Sequence, residues 1–188
     1  MPAPLSIIIP TLNAASDLPE CLQALMPGLE LGLIREVIVS DGGSDDATPR
    51  IAGDTGATWI TGASGRGAQL AAGADTARGD WLLFLHADTY LSPDWAERAA
   101  HHMERRAESA AAFTLRYRSD DRAARWLEAR ANRRARMFGL PYGDQGLLIS
   151  RKLYDAVGGF ADVPLMEDVM IARALGKKRL VLLSADAP

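Results

Sequence analysis

Cysteine is almost absent from this chain of 188 residues, in which Cys21 is the single example. One cysteine excludes a disulfide within the chain and a metal site built from cysteine alone. Because disulfides belong to oxidising compartments, the composition fits a reducing, cytoplasmic setting. Cys21 has Leu18, Leu22 and Leu25 at helical spacing around it, so we expect it to be a buried residue of a helix.

A net positive charge and long apolar runs are missing as well. The formal net charge is -3, which argues against a general nucleic-acid binder, because neutralising phosphates requires a strongly positive surface. No run approaches the roughly 18 apolar residues of a membrane span, and the first residues lack the basic and apolar regions of a signal peptide. We therefore expect a soluble protein that has no nucleic-acid partner.

Internal repeats and low-complexity linkers are also absent. With 48% hydrophobic residues, the chain can bury one ordinary core but hardly two. The sequence predicts a single domain over residues 1–188, with a change of pattern near residue 90.

The chain does contain short apolar runs that alternate with helical patterns. The predicted strands cover residues 5–10, 36–40, 57–61 and 81–88. The first helix is predicted to begin at a cap from Ser16 or Asp17 and to end at Pro27 and Gly28. Such an alternation predicts an α/β fold, with a mostly parallel sheet flanked by helices and joined by right-handed crossovers.

The pattern is less regular after residue 88. Helices are predicted over residues 92–106, 121–137, 151–157 and 166–175. Strands are predicted over residues 110–117, 146–150 and 179–183.

Polar side chains follow the predicted strands where each strand ends. Asp41 follows the second strand, and His86 and Asp88 close the fourth. Because the carboxyl ends of parallel strands meet at one edge of a sheet, we expect these groups to lie close to Asn13 and Arg66. Together they offer polar groups for a nucleoside, a cation for phosphates and a carboxylate for a bridging metal. Roles in turns and caps, or as solvated loop charges, also fit these residue types.

Four segments, in order, resemble motifs of a known family. They are IIIPTLN at 7–13, VIVSDGGSDDAT at 37–48, RGD at 78–80 running into FLHAD at 84–88, and MED at 166–168. At this spacing the chain resembles the family 2 inverting glycosyltransferases with the GT-A fold. The segments GRGAQ at 65–69 and GDQG at 143–146 look like a bacterial subgroup of that family.

The resemblance implies a single GT-A domain with a nucleotide-binding half, 1–90, and an acceptor-side half, 91–188. It implies transfer of a sugar, with inversion, from a UDP- or GDP-type nucleotide sugar to an acceptor hydroxyl. Asp88 would bind Mn²⁺ or Mg²⁺ together with the diphosphate, and Arg66 would approach the nucleotide. The other residues that would hold the nucleotide are Pro10, Thr11, Asn13, Asp41 and Ser44.

Two departures from the family pattern stand out. The family commonly carries an Asp-X-Asp triad where this chain has His86, Ala87 and Asp88. His86 is therefore a candidate second metal ligand, with hydrogen bonding to the sugar or ribose as the alternative. The family also commonly has an acidic residue after Asn13, where this chain has Ala14.

Inverting transfer needs a base for the acceptor hydroxyl. By the same resemblance, Asp168 is that base and Glu167 orients it or the acceptor. The helix dipole alone also favours acids at this position, since both residues begin a predicted helix.

Eight arginines lie between Arg116 and Arg136, against Asp120, Asp121 and Glu128. A helix this basic, with Trp126 nearby, could contact anionic lipid head groups or a phosphorylated acceptor, giving a membrane-peripheral protein; a solvated helix face is the alternative.

Two other functions remain open. A nucleotidyltransferase would share the sheet and the carboxylates, but it would carry glycines and a basic residue in the loop after the first strand, and residues 11–15 have neither. A non-catalytic nucleotide-sugar-binding module is the second.

Relatives usually continue beyond the point where this chain stops, so we expect either a trimmed chain or an acceptor site completed by another chain. The sequence does not specify the sugar, the nucleobase or the oligomeric state. The acceptor can be lipid-linked or a small molecule.

Overall fold

A sheet of seven strands runs through the chain in a computed structural model that describes residues 3–62, 65–117, 121–141, 143–163 and 166–187. The strands are β1 (Leu5–Thr11), β2 (Ile34–Asp41), β3 (Thr58–Thr61), β4 (Trp81–Phe84), β5 (Ala110–Leu115), β6 (Leu147–Ser150) and β7 (Leu180–Ala187). The helices are α1 (Leu18–Ala24), α2 (Met26–Glu30), α3 (Thr48–Asp54), α4 (Arg66–Thr76), α5 (Trp95–Arg105), α6 (Arg122–Phe138), α7 (Arg151–Ala156) and α8 (Glu167–Leu175). Short 3-10 turns cover Gly143–Gln145 and Lys177–Arg179.

The strands lie in the order β3-β2-β1-β4-β6-β5-β7. β1 is parallel to both of its neighbours, β2 and β4, and β3 is parallel to β2. β6 runs antiparallel to β4 and β5, whereas β7 is parallel to β5. The predicted α/β fold, a mostly parallel sheet flanked by helices, is confirmed.

The central strands are buried along their whole length, which is why they read as unbroken apolar runs. Alternate side chains enter two core layers: Ile7 packs with Leu83 on one face, and Ile8 packs with Phe84 on the other. Full burial of one such side chain contributes about 1.5–3 kcal/mol. The centre of the sheet is therefore a rigid support for the loops at its edge.

The first helical segment differs from the prediction, because it forms two helices instead of one. α1 ends at Ala24, and Pro27 and Gly28 lie inside α2. The turn is held by α5: the indole Nε1 of Trp95 donates to the carbonyl of Ala24 at 3.0 Å. A Cβ at Gly28 would lie 2.5 Å from the same ring, so a glycine is required there.

The predicted cap of α1 is only partly right. Asp17 occupies the N-cap position, but its side chain makes no capping hydrogen bond. Its carboxylate instead accepts from the hydroxyl groups of Ser16 and Tyr90, at 2.5 and 3.1 Å.

The fourth strand is shorter than predicted. β4 ends at Phe84, which places His86 and Asp88 in the loop between β4 and α5. The elements predicted after residue 88 are all present, with bounds shifted by a few residues. Over the described ranges, no helix combines the length and the apolar character needed to cross a membrane.

Candidate active site

A cleft of about 440 Å³ opens at the carboxyl ends of β1 and β4. In open α/β sheets, ligands bind at this edge. Six of the residues predicted for nucleotide or metal binding line it: Pro10, Thr11, Asn13, Arg66, His86 and Asp88. The cleft also contains residues that the sequence did not single out for binding, of which Leu12, Asp17, Gly42 and Gln69 are examples.

Asp41 and Ser44 lie behind the cleft wall. The buried carboxylate of Asp41 accepts hydrogen bonds from the hydroxyl groups of Thr11 and Ser44, at 2.8 and 2.5 Å, and from the amides of Gly43 and Ser44. Burial raises the pKa of Asp41, but these bonds outweigh it and leave the pKa below its usual value. Asp41 is therefore an ionised group that joins the loops after β1 and β2.

Asn13 is shaped by the same loop pairing. Its amide donates to the hydroxyl of Ser44 at 2.8 Å, and its side-chain oxygen accepts from the amide of Asp45 at 3.0 Å. Asn13 has a φ of 53°, a left-handed conformation that asparagine tolerates better than most residues. The side-chain oxygen thus serves the loop, and the residue as a whole lines the cleft.

Gln69 closes the floor of the cleft. Its side-chain nitrogen donates to the carbonyls of Thr11 and Ser40, at 2.7 and 2.8 Å, so it joins the ends of β1 and β2. A Cβ at Gly42 would lie 3.1 Å from that nitrogen, which favours glycine at this place. The segment at 65–69 contains Gln69, but its spacing to the two carbonyls is visible only in the fold.

Arg66 and Glu167 form an ion pair across the site, between the Nε of the guanidinium and Oε1 of the carboxylate. Arg66 begins α4 and its side chain is 40% exposed, while that of Glu167, at the start of α8, is 1% exposed. The second carboxylate oxygen, Oε2, is buried and has no hydrogen-bond partner among the described residues. The sequence predicted Arg66 for the nucleotide and Glu167 for the acceptor side, and the two are joined directly.

His86 and Asp88 differ in their surroundings. Asp88 is exposed in the cleft, whereas His86 is half-buried. Burial, followed by the positive charge of Arg66, lowers the pKa of His86, despite the opposing carboxylates of Asp88, Asp144 and Asp168. The imidazole is therefore neutral near pH 7.

The ring of His86 packs against the 3-10 turn. A Cβ at Gly143 would lie 2.5 Å from Nε2 of His86, so only glycine allows this approach. The amide of Gly143 also donates to Oδ2 of Asp168 at 2.9 Å. Gly143 thus brings His86 and Asp168 to one place, although no sequence motif linked these three residues.

Asp168 faces a small cavity of about 30 Å³, room for about one water molecule. The polar part of its wall is formed by His86, Glu167 and Asp168, and the remainder is apolar, with Phe84 and Phe160 among the lining residues. The other oxygen of Asp168, Oδ1, accepts from the amide of Val169 at 2.7 Å. His86 lines both this cavity and the cleft, so the two spaces are neighbours.

Asp144 is a further acidic group near the site that the sequence did not assign a role. Its Oδ1 is buried without a hydrogen-bond partner in the described part of the chain. Burial raises the pKa of Asp144, and the charge of Asp168 adds to this effect. The only sequence signal was its position in the GDQG segment.

A divalent cation fits the cleft only with help from a bound ligand. Within the described ranges, no three residues of the types His, Cys, Asp and Glu are grouped so that they could hold a metal ion. The exposed carboxylate of Asp88 suits Mn²⁺ or Mg²⁺, and such ions often take their other ligands from phosphates and water. The Nε2 edge of His86 lies against Gly143, which makes Asp88 the better of the two predicted ligands.

The chain is similar to known proteins in sequence and in fold. The family model described as glycosyl transferase family 2 matches residues 6–161. The structure of S. aureus TarS has a TM-score of 0.72 and 20% identity, over 98% of this chain and 60% of that one. No curated protein matches the chain.

Two further structures contain nucleotides. Glucosyl-3-phosphoglycerate synthase from Mycobacterium tuberculosis, in complex with Mn²⁺, UDP and phosphoglyceric acid, has a TM-score of 0.70 and 20% identity, over 95% of this chain and 67% of that one. Mannosyltransferase PcManGT from Pyrobaculum calidifontis, in complex with GDP-Man and Mn²⁺, has a TM-score of 0.72 and 18% identity, over 96% of this chain and 56% of that one.

These likenesses establish the GT-A fold, and this chain spans 60% of the length of the TarS structure. The family model covers most of the chain, from the start of β1 to the segment before α8. The chain therefore belongs to glycosyl transferase family 2.

Proposed function

We propose that this chain transfers a sugar from a nucleoside-diphosphate sugar to an acceptor hydroxyl, with inversion at the anomeric carbon. The observation that carries the proposal is the cleft at the sheet edge, where Asn13, Arg66 and Asp88 meet in a member of glycosyl transferase family 2. The cleft volume of about 440 Å³ suits a small-molecule ligand.

The donor would lie with its diphosphate near Asp88 and Arg66. Asp88 would hold Mn²⁺ or Mg²⁺, and this cation would neutralise the charge that develops on the leaving phosphate. His86, neutral and beside Asp88, remains a candidate second ligand or a hydrogen-bond partner of the sugar. Pro10, Thr11 and Asn13 would contact the nucleoside, with Asp41 and Ser44 holding their loop in place. The UDP and GDP-Man complexes of the similar structures support a UDP- or GDP-type donor.

Asp168 would act as the base. Each of its oxygens accepts one hydrogen bond, from the amide of Gly143 or of Val169, and each retains a lone pair for an acceptor hydroxyl. The acceptor oxygen would bond to the anomeric carbon while the bond to the phosphate oxygen breaks. The bonding electrons leave with the nucleoside diphosphate, and the hydroxyl proton passes to Asp168. Glu167, paired with Arg66, would position the base relative to the donor.

The acceptor would approach from the side of α8, and both a lipid-linked and a small-molecule hydroxyl fit this direction. We place the reaction in the cytoplasm, because the single cysteine of the chain fits a reducing compartment. The alternative is a module that binds nucleotide sugars without turnover. It is favoured by one observation, the imidazole of His86 where a carboxylate would strengthen cation binding.

The test begins with a panel of nucleotide sugars, screened for thermal stabilisation with and without Mn²⁺, since a bound ligand shifts the unfolding equilibrium. For the donor that binds, release of nucleoside diphosphate is then measured for the wild type, Asp168→Asn and the control Asp162→Asn, an exposed acid on the preceding loop. We expect Asp168→Asn to bind donor normally and to react about 10²–10⁴-fold more slowly. Equal rates in all three proteins would refute Asp168 as the base, and binding without any release would favour the module.

A further inference from the structure

The outer face of α6 exposes large apolar side chains. Large exposed apolar patches are uncommon on monomeric soluble proteins, and they mark interaction sites. The exposed fractions are 59% for Trp126, 48% for Leu127, 49% for Met137 and 61% for Phe138. The opposite face of the helix packs on the protein through Glu128, Ala131 and Ala135. The helix is therefore held in place by one side while the other side offers apolar surface to a partner.

The exposed residues form one continuous stripe. At 3.6 residues per turn, Trp126, Arg130, Arg133 and Met137 fall within about 60° of one another around the helix axis. Leu127 and Phe138 border this stripe on one side. We define the outer face of α6 as these residues together with Arg122: Arg122, Trp126, Leu127, Arg130, Arg133, Met137 and Phe138.

The charge of this surface is of one sign. Arg122, Arg130 and Arg133 of this face are exposed, and in the part of the chain that the structure describes none of them has an ion-pair partner. Glu128, the single acid within α6, is turned inward and pairs with Arg125 at 2.9 Å. The outer face thus carries cations without anions, although the chain as a whole has a net charge of -3.

The outer face carries both apolar and cationic side chains, as do helices that lie on a membrane surface. The guanidinium of Arg130 lies 5.3 Å from the ring centre of Trp126, a cation–π contact. Indole rings favour the zone where head groups meet acyl chains, and arginine side chains keep their charge in the head-group layer. A further cluster of cations, Lys177–Arg179, adjoins the end of the helix, where Lys177 contacts Gly139.

We propose that the outer face of α6 docks on an anionic lipid bilayer. The argument is charge complementarity: a cationic stripe that includes exposed tryptophan and phenylalanine matches acidic head groups above an apolar layer. The docking itself does not depend on the proposed function.

Docking would also orient the active site, and this step rests on the proposed function. α6 ends at Phe138, and five residues later Gly143 donates its amide to Asp168. From this short connection we infer that a bilayer under the outer face of α6 would lie near the proposed base. The acceptor class that fits this arrangement is a membrane-anchored lipid whose head group carries the acceptor hydroxyl.

The test measures sedimentation of the protein with vesicles of phosphatidylcholine alone, or with roughly one-third phosphatidylglycerol. Tryptophan emission is followed in a Trp59→Phe background, because Trp59 is the other exposed tryptophan and lies on β3. We expect binding to anionic vesicles only, with a blue shift of emission from Trp126. The double variant Arg130→Gln/Arg133→Gln should bind about 25-fold more weakly, and Trp126→Ser/Phe138→Ser should lose the binding.

The matched control is Arg35→Gln/Arg50→Gln, which removes the same charge from exposed residues elsewhere. All substituted residues are exposed, so the variants should unfold at wild-type temperatures, which is checked by circular dichroism. The proposal would be overturned by absent binding, by equal binding to both kinds of vesicle, or by an equal loss in the control. Loss of vesicle binding would leave nucleotide-sugar turnover measurable, so the two proposals can fail separately.

Discussion

The carboxylate of Asp41 organises the loops at the edge of the sheet, although Asp41 itself does not line the cleft. It receives hydrogen bonds from the loops after β1 and β2, including the hydroxyl groups of Thr11 and Ser44. Because Ser44 in turn accepts from the amide of Asn13, Asp41 sets the position of a residue that lines the cleft.

We predict that Asp41→Ala lowers the free energy of unfolding by about 2–4 kcal/mol, since it leaves the buried hydroxyl of Thr11 and the partly buried donors of Gly43 and Ser44 without their acceptor. Urea unfolding measures the change. Asp45→Ala, which removes an exposed carboxylate from the same loop, is the control and should change stability by less than about 0.5 kcal/mol. A loss in the control equal to that of Asp41→Ala would contradict the role given to Asp41.

His102 provides a prediction about pH. It is buried in α5, where Nε2 donates to the carbonyl of Ser109 at 2.9 Å and the ring meets Trp81 edge-on. Burial lowers the pKa of His102 below its ordinary value of 6.5, as it does for His86. The unfolded chain therefore binds protons more readily than the folded one once the pH falls below 6.5, and stability decreases in that range.

We expect His102→Gln, which can keep the bond to Ser109, to make the loss of stability between about pH 6.5 and 5.5 shallower by up to about 1 kcal/mol. His101→Gln, on the exposed side of the same helix, is the control. Denaturant midpoints at several pH values provide the measurement. The lowered pKa of Glu36 acts only below its ordinary value of 4.5, so it does not contribute in this window. An unchanged slope in His102→Gln would show that the histidine does not titrate as described.

At the scale of elements, the 3-10 turn Gly143–Gln145 has the closest connection to the proposed chemistry. It bonds to Asp168, packs on His86, and inserts Gln145, whose side-chain nitrogen donates to the carbonyl of Phe113 at 3.0 Å. The turn thus links two residues of the candidate site to β5.

We predict that Gly143→Ala reduces turnover at least about tenfold, because its Cβ would lie 2.5 Å from His86 and push the turn away from Asp168. Gly53→Ala in α3, where a Cβ meets nothing within 4 Å, is the control and should retain activity. Activity is compared with the thermal unfolding midpoint of each variant. A turnover loss fully explained by unfolding would contradict a positioning role for this turn.

Sequence patterns predicted the elements whose burial depends on local composition. β1 and β4 were visible as apolar runs, and α6 was predicted within one residue of its bounds. That Asp121 is its N-cap is seen only in the structure. The break between α1 and α2 was not predictable, because it is held by Trp95, about 70 residues further along the chain. The antiparallel direction of β6 also depends on pairing with β4, which no local pattern encodes.

In the candidate site, too, local patterns were predictable and contacts between distant residues were not. The sheet-edge rule brought Asn13, Arg66 and Asp88 together correctly. The pairing of Arg66 with Glu167 was not foreseen, because the two residues are 101 positions apart and each has a plausible separate role. The roles assigned to these residues in binding and catalysis remain predictions.

In the molecule as a whole, the Arg66–Glu167 ion pair joins α4, which follows the strands proposed to bind the nucleotide, to α8, which carries the proposed base. The 3-10 turn makes a second connection through His86, Gly143 and Asp168. These two connections lie where the proposed donor and the proposed base would have to approach each other. We therefore expect the donor to bind beside Asp88, next to the base Asp168.

The direct test is isothermal titration of the wild type, Asp88→Ala and Asp168→Asn with Mn²⁺ and the nucleotide sugar that stabilises the wild type in the thermal screen. We predict a Kd between about 1 μM and 1 mM for the wild type and for Asp168→Asn, and binding weakened at least about tenfold in Asp88→Ala. The proposed donor site would be refuted if Asp88→Ala bound the nucleotide sugar as tightly as the wild type, or if the wild type bound no nucleotide sugar.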